Sequence, residues 1–198
     1  MITVTNILEV EKHLDGIDAV IFDLDDTLYS EKEYVRSGYR KIAEWLDKPE
    51  IAEKLWQVFK RGGKAIDEVI EENDRAEALR IYRGQEPDIH LYTGAREMLA
   101  RIAETKKIGI ITDGRPEGQR AKLKALGIQI SNVIITDELG RIEFRKPCSR
   151  AFEMMQAMVG VSFEQMVYVG DNARKDFIAP EKLGMKSIWF RNEDGLYK

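Results

Sequence analysis

Five short apolar runs constrain what this chain can become: Ala19–Phe22, Ile108–Ile111, Val133–Ile135, Met166–Val169 and Ser187–Phe190. Four of them lead straight into Asp, Thr or Gly. None shows strict alternation of apolar and polar residues, so each is expected to be a strand covered on both faces, as in a parallel sheet flanked by helices. Helix-like stretches lie between them, at Ala95–Glu104 after Thr93-Gly94, Glu117–Leu126 after Pro116, Arg150–Val159 and Arg174–Leu183. Strands and helices in this order predict a doubly wound α/β fold, in which a site forms beyond the carboxyl ends of the strands.

Residues 29–88 interrupt that rhythm. They hold no strand-like run, and their apolar residues recur at helical spacing: Ile42, Trp45 and Leu46, then Leu55, Trp56 and Phe59. Gly62-Gly63 breaks the pattern, Ala65–Arg83 resumes it, and Glu86-Pro87-Asp88 forms a return hinge. With 198 residues the chain has room for one core and an insertion, not for two full domains. The expected division is a core of residues 1–28 and 89–198 with a helical unit at 29–88. Trp45, Trp56 and Phe59 are expected to be packed inside that unit rather than to form a stacking platform.

Composition narrows the classes of function. Hydrophobic residues at 43% and charged residues at 33% describe a folded chain rather than a disordered or membrane one. No apolar run nears the roughly 18 residues of a membrane span. Met1–Leu14 carries Glu9, Glu11, Lys12 and His13, unlike a secretory leader. A single cysteine, Cys148, rules out an internal disulfide and suits a reducing compartment, so the cytoplasm is the expected location. The net charge of -4 gives no reason to expect nucleic acid as a partner. It does not exclude an anionic substrate, because local charge and bound metal decide that. His13 and His90 are too isolated to suggest a metal pair.

The chemistry collects at the strand ends. The first run passes directly into Asp23-Leu24-Asp25-Asp26-Thr27-Leu28. If the extended conformation persists, Asp23 and Asp25 fall on one side, and two such carboxylates need a proton or a cation between them. Alone, this segment could equally be an acidic turn. Ile111 leads into Thr112-Asp113-Gly114, which offers a hydroxyl and loop amides to an anionic oxygen. Lys146, before Pro147, adds a cation. Val169-Gly170-Asp171-Asn172, with Asp176 close behind, places further carboxylates at a strand end and suits magnesium, a hard ion that prefers oxygen.

Taken together, over about residues 18 to 190, these four segments resemble the haloacid dehalogenase-like superfamily. The first and last are the most specific. The resemblance implies a Rossmann-like three-layer α/β core with a parallel sheet and a small α-helical cap, the cap being the insertion after the first strand. It also implies a magnesium-dependent phosphatase acting on a small phosphate ester. Asp23 would attack phosphorus and form an aspartyl-phosphate. Asp25 would protonate the leaving oxygen and then activate water. Thr112, Asp113 and Gly114 would bind the phosphoryl oxygens, and Lys146 would neutralise the charge. Magnesium would be held by Asp23, Asp171 and the main-chain carbonyl of Asp25, with Asp176 and Asn172 supporting them from behind and Asp176 orienting Lys146 or a metal-bound water.

The chain departs from the family at Asp113, where many members have Asn; Arg115 is the expected compensating cation. A phosphomutase would use the same residues. A dehalogenase needs neither the metal nor Asp25, and a receiver-like signalling module would lack Asp25 and the long insertion. Near the insertion's break and end, Arg61, Lys64 and Arg83 are the basic residues that could contact the part of the substrate that is not transferred, although each taken alone reads as solvated surface. Residues 1–16 fall outside the pattern.

Overall fold

The computed structural model describes residues 1–140 and 142–196. The chain opens with a short strand, β1 (Ile2–Val4), and a 3-10 helix (Ile7–His13), followed by β2 (Ala19–Phe22). Four helices come next without an intervening strand: α1 (Glu31–Trp45), α2 (Glu50–Lys60), α3 (Ala65–Val69) and α4 (Arg75–Arg83). The rest alternates regularly, as α5 (Ala95–Thr105), β3 (Lys107–Thr112), α6 (Pro116–Ala125), β4 (Asn132–Ile135), α7 (Arg150–Val159), β5 (Met166–Gly170), α8 (Ile178–Leu183) and β6 (Lys186–Phe190).

The six strands form one sheet in the order β1-β6-β5-β2-β3-β4, and every pairing is parallel. All five apolar runs are strands of it. The central strand β2 explains why its sequence is apolar throughout: Ala19, Val20, Ile21 and Phe22 are all fully buried. Val20 and Phe22 face a cluster with Met98 and Ile102 of α5 and Val10 of the 3-10 helix. Ala19 and Ile21 face the opposite cluster, with Phe152 and Met155 of α7 and Met185. From β2 the chain moves outward through β3 to β4, then crosses back to β5 on the other side of β2. That reversal opens a crevice at the carboxyl ends of β2 and β5, where doubly wound sheets place their ligands.

Helices α1 to α4 carry an apolar cluster of their own, including Tyr39, Ile42, Leu55, Trp56 and Ile70. Trp56 is buried and stacks on Phe59, as expected. Trp45 is not packed inside: it ends α1 with 40% of its surface exposed, on the side of the helix that carries the exposed Lys41 and Glu44 rather than on the face of Val35, Tyr39 and Ile42. The predicted helix Ala65–Arg83 is broken at Ile70, whose backbone is extended.

Two further differences concern the ends. Residues 1–16, outside the family pattern, contribute a strand not expected from the sequence: β1 pairs with β6 and forms an edge of the sheet. The helix expected at Arg174–Leu183 starts only at Ile178. Pro180 accounts for this, since its missing N–H is tolerated in a first turn and not four residues further on. Residues 172–177 are instead a turn in which Asn172 N–H donates to Asp176 Oδ2 at 2.9 Å. Among the described residues no helix is long and apolar enough to cross a membrane.

Close packing of α7 on the sheet depends on Gly109 in β3. A Cβ there would lie 2.5 Å from Met155 Sδ and 3.0 Å from Ile21 Cδ1. Gly109→Ala should therefore destabilise the protein by about 1–3 kcal/mol, the usual cost of overpacking a filled core. Urea denaturation would measure it, with an unchanged midpoint counting against this packing.

Candidate active site

Asp23 continues β2, its N–H donating to the Val169 carbonyl at 2.8 Å. Its side chain is buried beside Lys146, whose ammonium lies 2.8 Å from Asp23 Oδ1 and 2.8 Å from Asp176 Oδ1. The same ammonium donates to the Tyr168 hydroxyl at 2.9 Å, and Tyr168 donates onward to the Ile111 carbonyl at 3.2 Å. The Lys146 side chain is wholly buried. A lysine that looks in isolation like solvated surface is thus the cation at the centre of the strand ends.

Asp171 lies just beyond β5, buried, and its Oδ2 has no hydrogen-bond partner. Asp23, Asp171 and Asp176 each offer an oxygen within 4.8 Å of the others. Gly170 makes this approach possible, since a Cβ there would sit 2.6 Å from Asp176 Oδ2. Three buried carboxylates around one ammonium carry surplus negative charge. Burial pushes Asp23 up to about 7 against the pull of Lys146, with Asp176 adding to the rise. Burial and then the charges of Asp23 and Asp176 push Asp171 up to about 9. An orphaned carboxylate oxygen in an all-oxygen, electron-rich set fits a hard divalent cation such as magnesium.

Asp25 has a separate environment. Lys122 Nζ lies 2.7 Å from its Oδ1, Tyr29 donates to the same oxygen, and Gln119 Nε2 donates to Oδ2 at 2.9 Å. Burial works to raise the Asp25 pKa, but Lys122 and the three hydrogen bonds outweigh it and hold the carboxyl below its ordinary value. Gln119 also donates to Thr112 Oγ1, tying Asp25 to the end of β3. The two aspartates that sequence places on one side therefore have different counterions and opposite shifts.

Asp113 does not load the pocket with free charge. Its Oδ1 accepts from Thr136 Oγ1 at 2.9 Å and Lys146 N–H at 3.1 Å, and its Oδ2 lies 2.8 Å from Lys175 Nζ. Burial opposes ionisation, yet Lys146 and Lys175 hold Asp113 below the usual carboxylate range. The compensating cation is Lys175, not Arg115, which remains exposed. Gly114 follows with φ 138°, a conformation that favours glycine. Asn172, also buried, accepts from Arg174 N–H at 3.1 Å and shapes the turn that presents Asp176.

A cleft of about 650 Å³ opens beside Asp25, between the insertion and the core. Tyr34, Tyr82 and Arg83 line it from the insertion, and Gly114, Arg115 and Lys122 from the core. Of the three basic residues singled out in the insertion, only Arg83 lines the cleft. Arg61 pairs with Glu68, and neither Arg61 nor Lys64 lines the cleft. Sequence reasoning missed Gln119, Lys122, Lys175 and Tyr168. A signal existed for two of them: Gln119, Lys122 and Leu126 recur at spacings of three and four along one buried face of α6 and its C-terminal cap.

Residues 20–190 match the haloacid dehalogenase-like hydrolase family. The chain belongs to that family. It is 29% identical to glyceraldehyde 3-phosphate phosphatase of Methanocaldococcus jannaschii over 92% of this chain and 87% of that one. A phosphoserine phosphatase of Thermus thermophilus is 34% identical over 47% of this chain and 39% of its own. Among solved structures, a HAD-superfamily hydrolase of subfamily IA from Geobacter sulfurreducens superposes with a TM-score of 0.68 at 20% identity, covering 90% of this chain and 89% of that one.

The raised carboxylates give a pH dependence with a definite sign. Asp23 and Asp171 keep their protons in the folded chain up to about 7 and about 9, whereas in the unfolded chain they release them near 3.8. The unfolded state then binds fewer protons, so without metal, stability falls as pH rises between those limits. Magnesium should stabilise the protein more at pH 8 than at pH 5, because it replaces those protons. Thermal melts with and without the ion at both pH values would show it, and a pH-independent increment would contradict it. Lys146→Met, which strands two buried carboxylates, should cost about 3–5 kcal/mol in the same melts.

Proposed function

We propose that the chain is a phosphatase that hydrolyses a small phosphorylated metabolite through an aspartyl-phosphate on Asp23. The observation that carries this reading is the pair of aspartates at the end of β2, one beside Lys146 and the orphaned Asp171 oxygen, the other held by Lys122 and Gln119. Family membership and the phosphatase names of similar proteins support it.

An Asp23 carboxylate oxygen forms a bond to phosphorus as the bond to the leaving oxygen breaks. Lys146 keeps Asp23 in place and offsets charge that builds on the phosphoryl group. Thr112 Oγ1 and the loop amides at Asp113 and Gly114 receive the phosphoryl oxygens. Asp25 gives its proton to the leaving oxygen, then takes one from the water that attacks the intermediate. Without substrate, Asp25 is an ionised carboxylate, the form needed for the second half; a phosphate dianion beside it favours the protonated form needed for the first. Asp23, Asp171 and the Asp25 carbonyl are the groups that would hold magnesium, with Asp176 fixing Lys146 beside them. When bound, the ion supplies neutralisation and a template for the phosphate.

Residues 29–88 serve as a cap that chooses the substrate. The insertion leaves the core next to Asp23 and Asp25, and its Arg83 and Tyr82 line the cleft that any leaving group must enter. A cleft of about 650 Å³ suits a metabolite rather than a phosphoprotein, and glyceraldehyde 3-phosphate and phosphoserine are the first compounds to assay.

Asp23→Asn should abolish turnover, and quenching with a slow substrate should leave phosphate on Asp23 in the parent protein. Phosphate trapped on another residue, or full activity after exhaustive chelation, would refute the mechanism. Arg83→Ala should raise KM for the preferred metabolite by about tenfold, the loss of one charged hydrogen bond, while p-nitrophenyl phosphate is little affected. Equal losses on both compounds would deny the cap its part in selection.

A further inference from the structure

Asp25 draws more protein contacts than an exposed turn carboxylate requires. Lys122 and Tyr29 meet Oδ1, Gln119 meets Oδ2, and Gln119 at the same time holds Thr112. Lys122 stands out among these. Its side chain is 7% exposed, and its ammonium lies 4.3 Å from the centre of the Tyr34 ring. Tyr34 belongs to α1, the first helix of the insertion, whereas Lys122 belongs to α6 of the core. One lysine therefore joins three parts: the loop after β2, a core helix and the root of the insertion.

Burying an ammonium is costly, and an apolar side chain of similar length at this position of α6 would pack with less penalty. The contacts made here have a consequence for chemistry. A carboxylate that must move a proton has to be held at a fixed distance from the reacting oxygen, and misplacement by about 1 Å can cost about a hundredfold. Free rotation about the Asp25 side chain would defeat this. Lys122 fixes one oxygen, Gln119 fixes the other, and Thr112, at the far end of the Gln119 contact, sets the position relative to the phosphoryl site.

We infer that Lys122 is a positioning residue for the proposed reaction: it clamps Asp25 in register with Thr112. This rests on the proposed roles of Asp25 and Thr112. It assigns Lys122 no contact with the substrate, although the residue borders the cleft.

The test is a double-mutant cycle on the full chain with saturating magnesium and p-nitrophenyl phosphate, whose leaving group departs without a proton, so that Asp25→Asn still forms the intermediate and turns over at the slower rate of its unassisted hydrolysis. On this substrate Asp25 acts only in hydrolysis of the aspartyl-phosphate, so Lys122→Met should lower kcat by about thirtyfold or more while kcat/KM changes less than about threefold, the signature of a slowed second step, and single-turnover formation of the intermediate should be retained. Lys122→Arg should recover part of the loss. In the Asp25→Asn background, Lys122→Met should cost less than about twofold, because residues that act as a unit are not additive. If Lys122→Met is as harmful without Asp25 as with it, its role is structural and the inference fails. A rise in KM with kcat unchanged would make Lys122 a substrate ligand and also overturn it. Full activity of Asp25→Asn would remove the proposed acid/base role itself, and the clamp with it. Circular dichroism checks that the variants fold; should Lys122→Met not fold, Lys122→Gln enters the same cycle under the same criteria.

Discussion

The ammonium of Lys146 is the interaction on which the strand-end architecture rests. It sits with no exposure between Asp23 and Asp176, anchored by the Tyr168 hydroxyl. Charges in such a place persist only when each has a partner, because isolated desolvation costs far more than folding can spare. Lys146 reaches this position from the loop before α7, Asp23 from β2, Asp176 from the turn after β5, and Tyr168 from β5 itself. The ammonium thus joins elements that the sheet alone would only set side by side. Gly170, with no Cβ to block Asp176, is the steric condition for this arrangement.

One lysine does not balance three carboxylates. The surplus is expressed in the raised values of Asp23 and Asp171 and in the orphaned Asp171 oxygen. Asp25, a short distance along the same loop, has its own cation in Lys122 and is displaced the other way. Neighbouring carboxylates whose environments drive them apart can divide the work of nucleophile and proton carrier. Asp113 is a third case: the carboxylate that departs from the family pattern is drawn off by Lys175, Lys146 N–H and Thr136, and does not confront an incoming phosphate as a free charge.

The insertion contributes a different kind of constraint. Its apolar cluster, around Ile42, Leu55 and Trp56, is distinct from the two that cover the sheet. What it presents to the cleft is small: Tyr34, Tyr82 and Arg83 beside Glu31. On the proposed division, chemistry would come from the sheet and selection from a helical unit with its own apolar cluster, and the two could vary independently, which suits a fold whose relatives bear the names of several phosphatases.

The sequence by itself determined the sheet and the inventory of acids. Short apolar runs that alternate with helical stretches mark parallel strands covered on both faces, even where one of them, β4, lies at an edge of the sheet, and the placement of Asp23, Thr112 and Asp171 at the ends of such runs brings them to one edge. Those are local properties, carried by residues adjacent in the chain. Short β1 escaped notice because three residues carry no periodicity, and the late start of α8 depended on reading Pro180 as a first-turn residue. Only the tertiary structure decided which cation serves which carboxylate. Lys122 meets Asp25 from 97 residues away and Lys175 meets Asp113 from 62, through crossovers and helix phases that no local pattern encodes. Arg83, rather than Arg61 or Lys64, faces the cleft for the same reason: a helix fixes which of its residues share a face, but only its packing against another element decides where that face points.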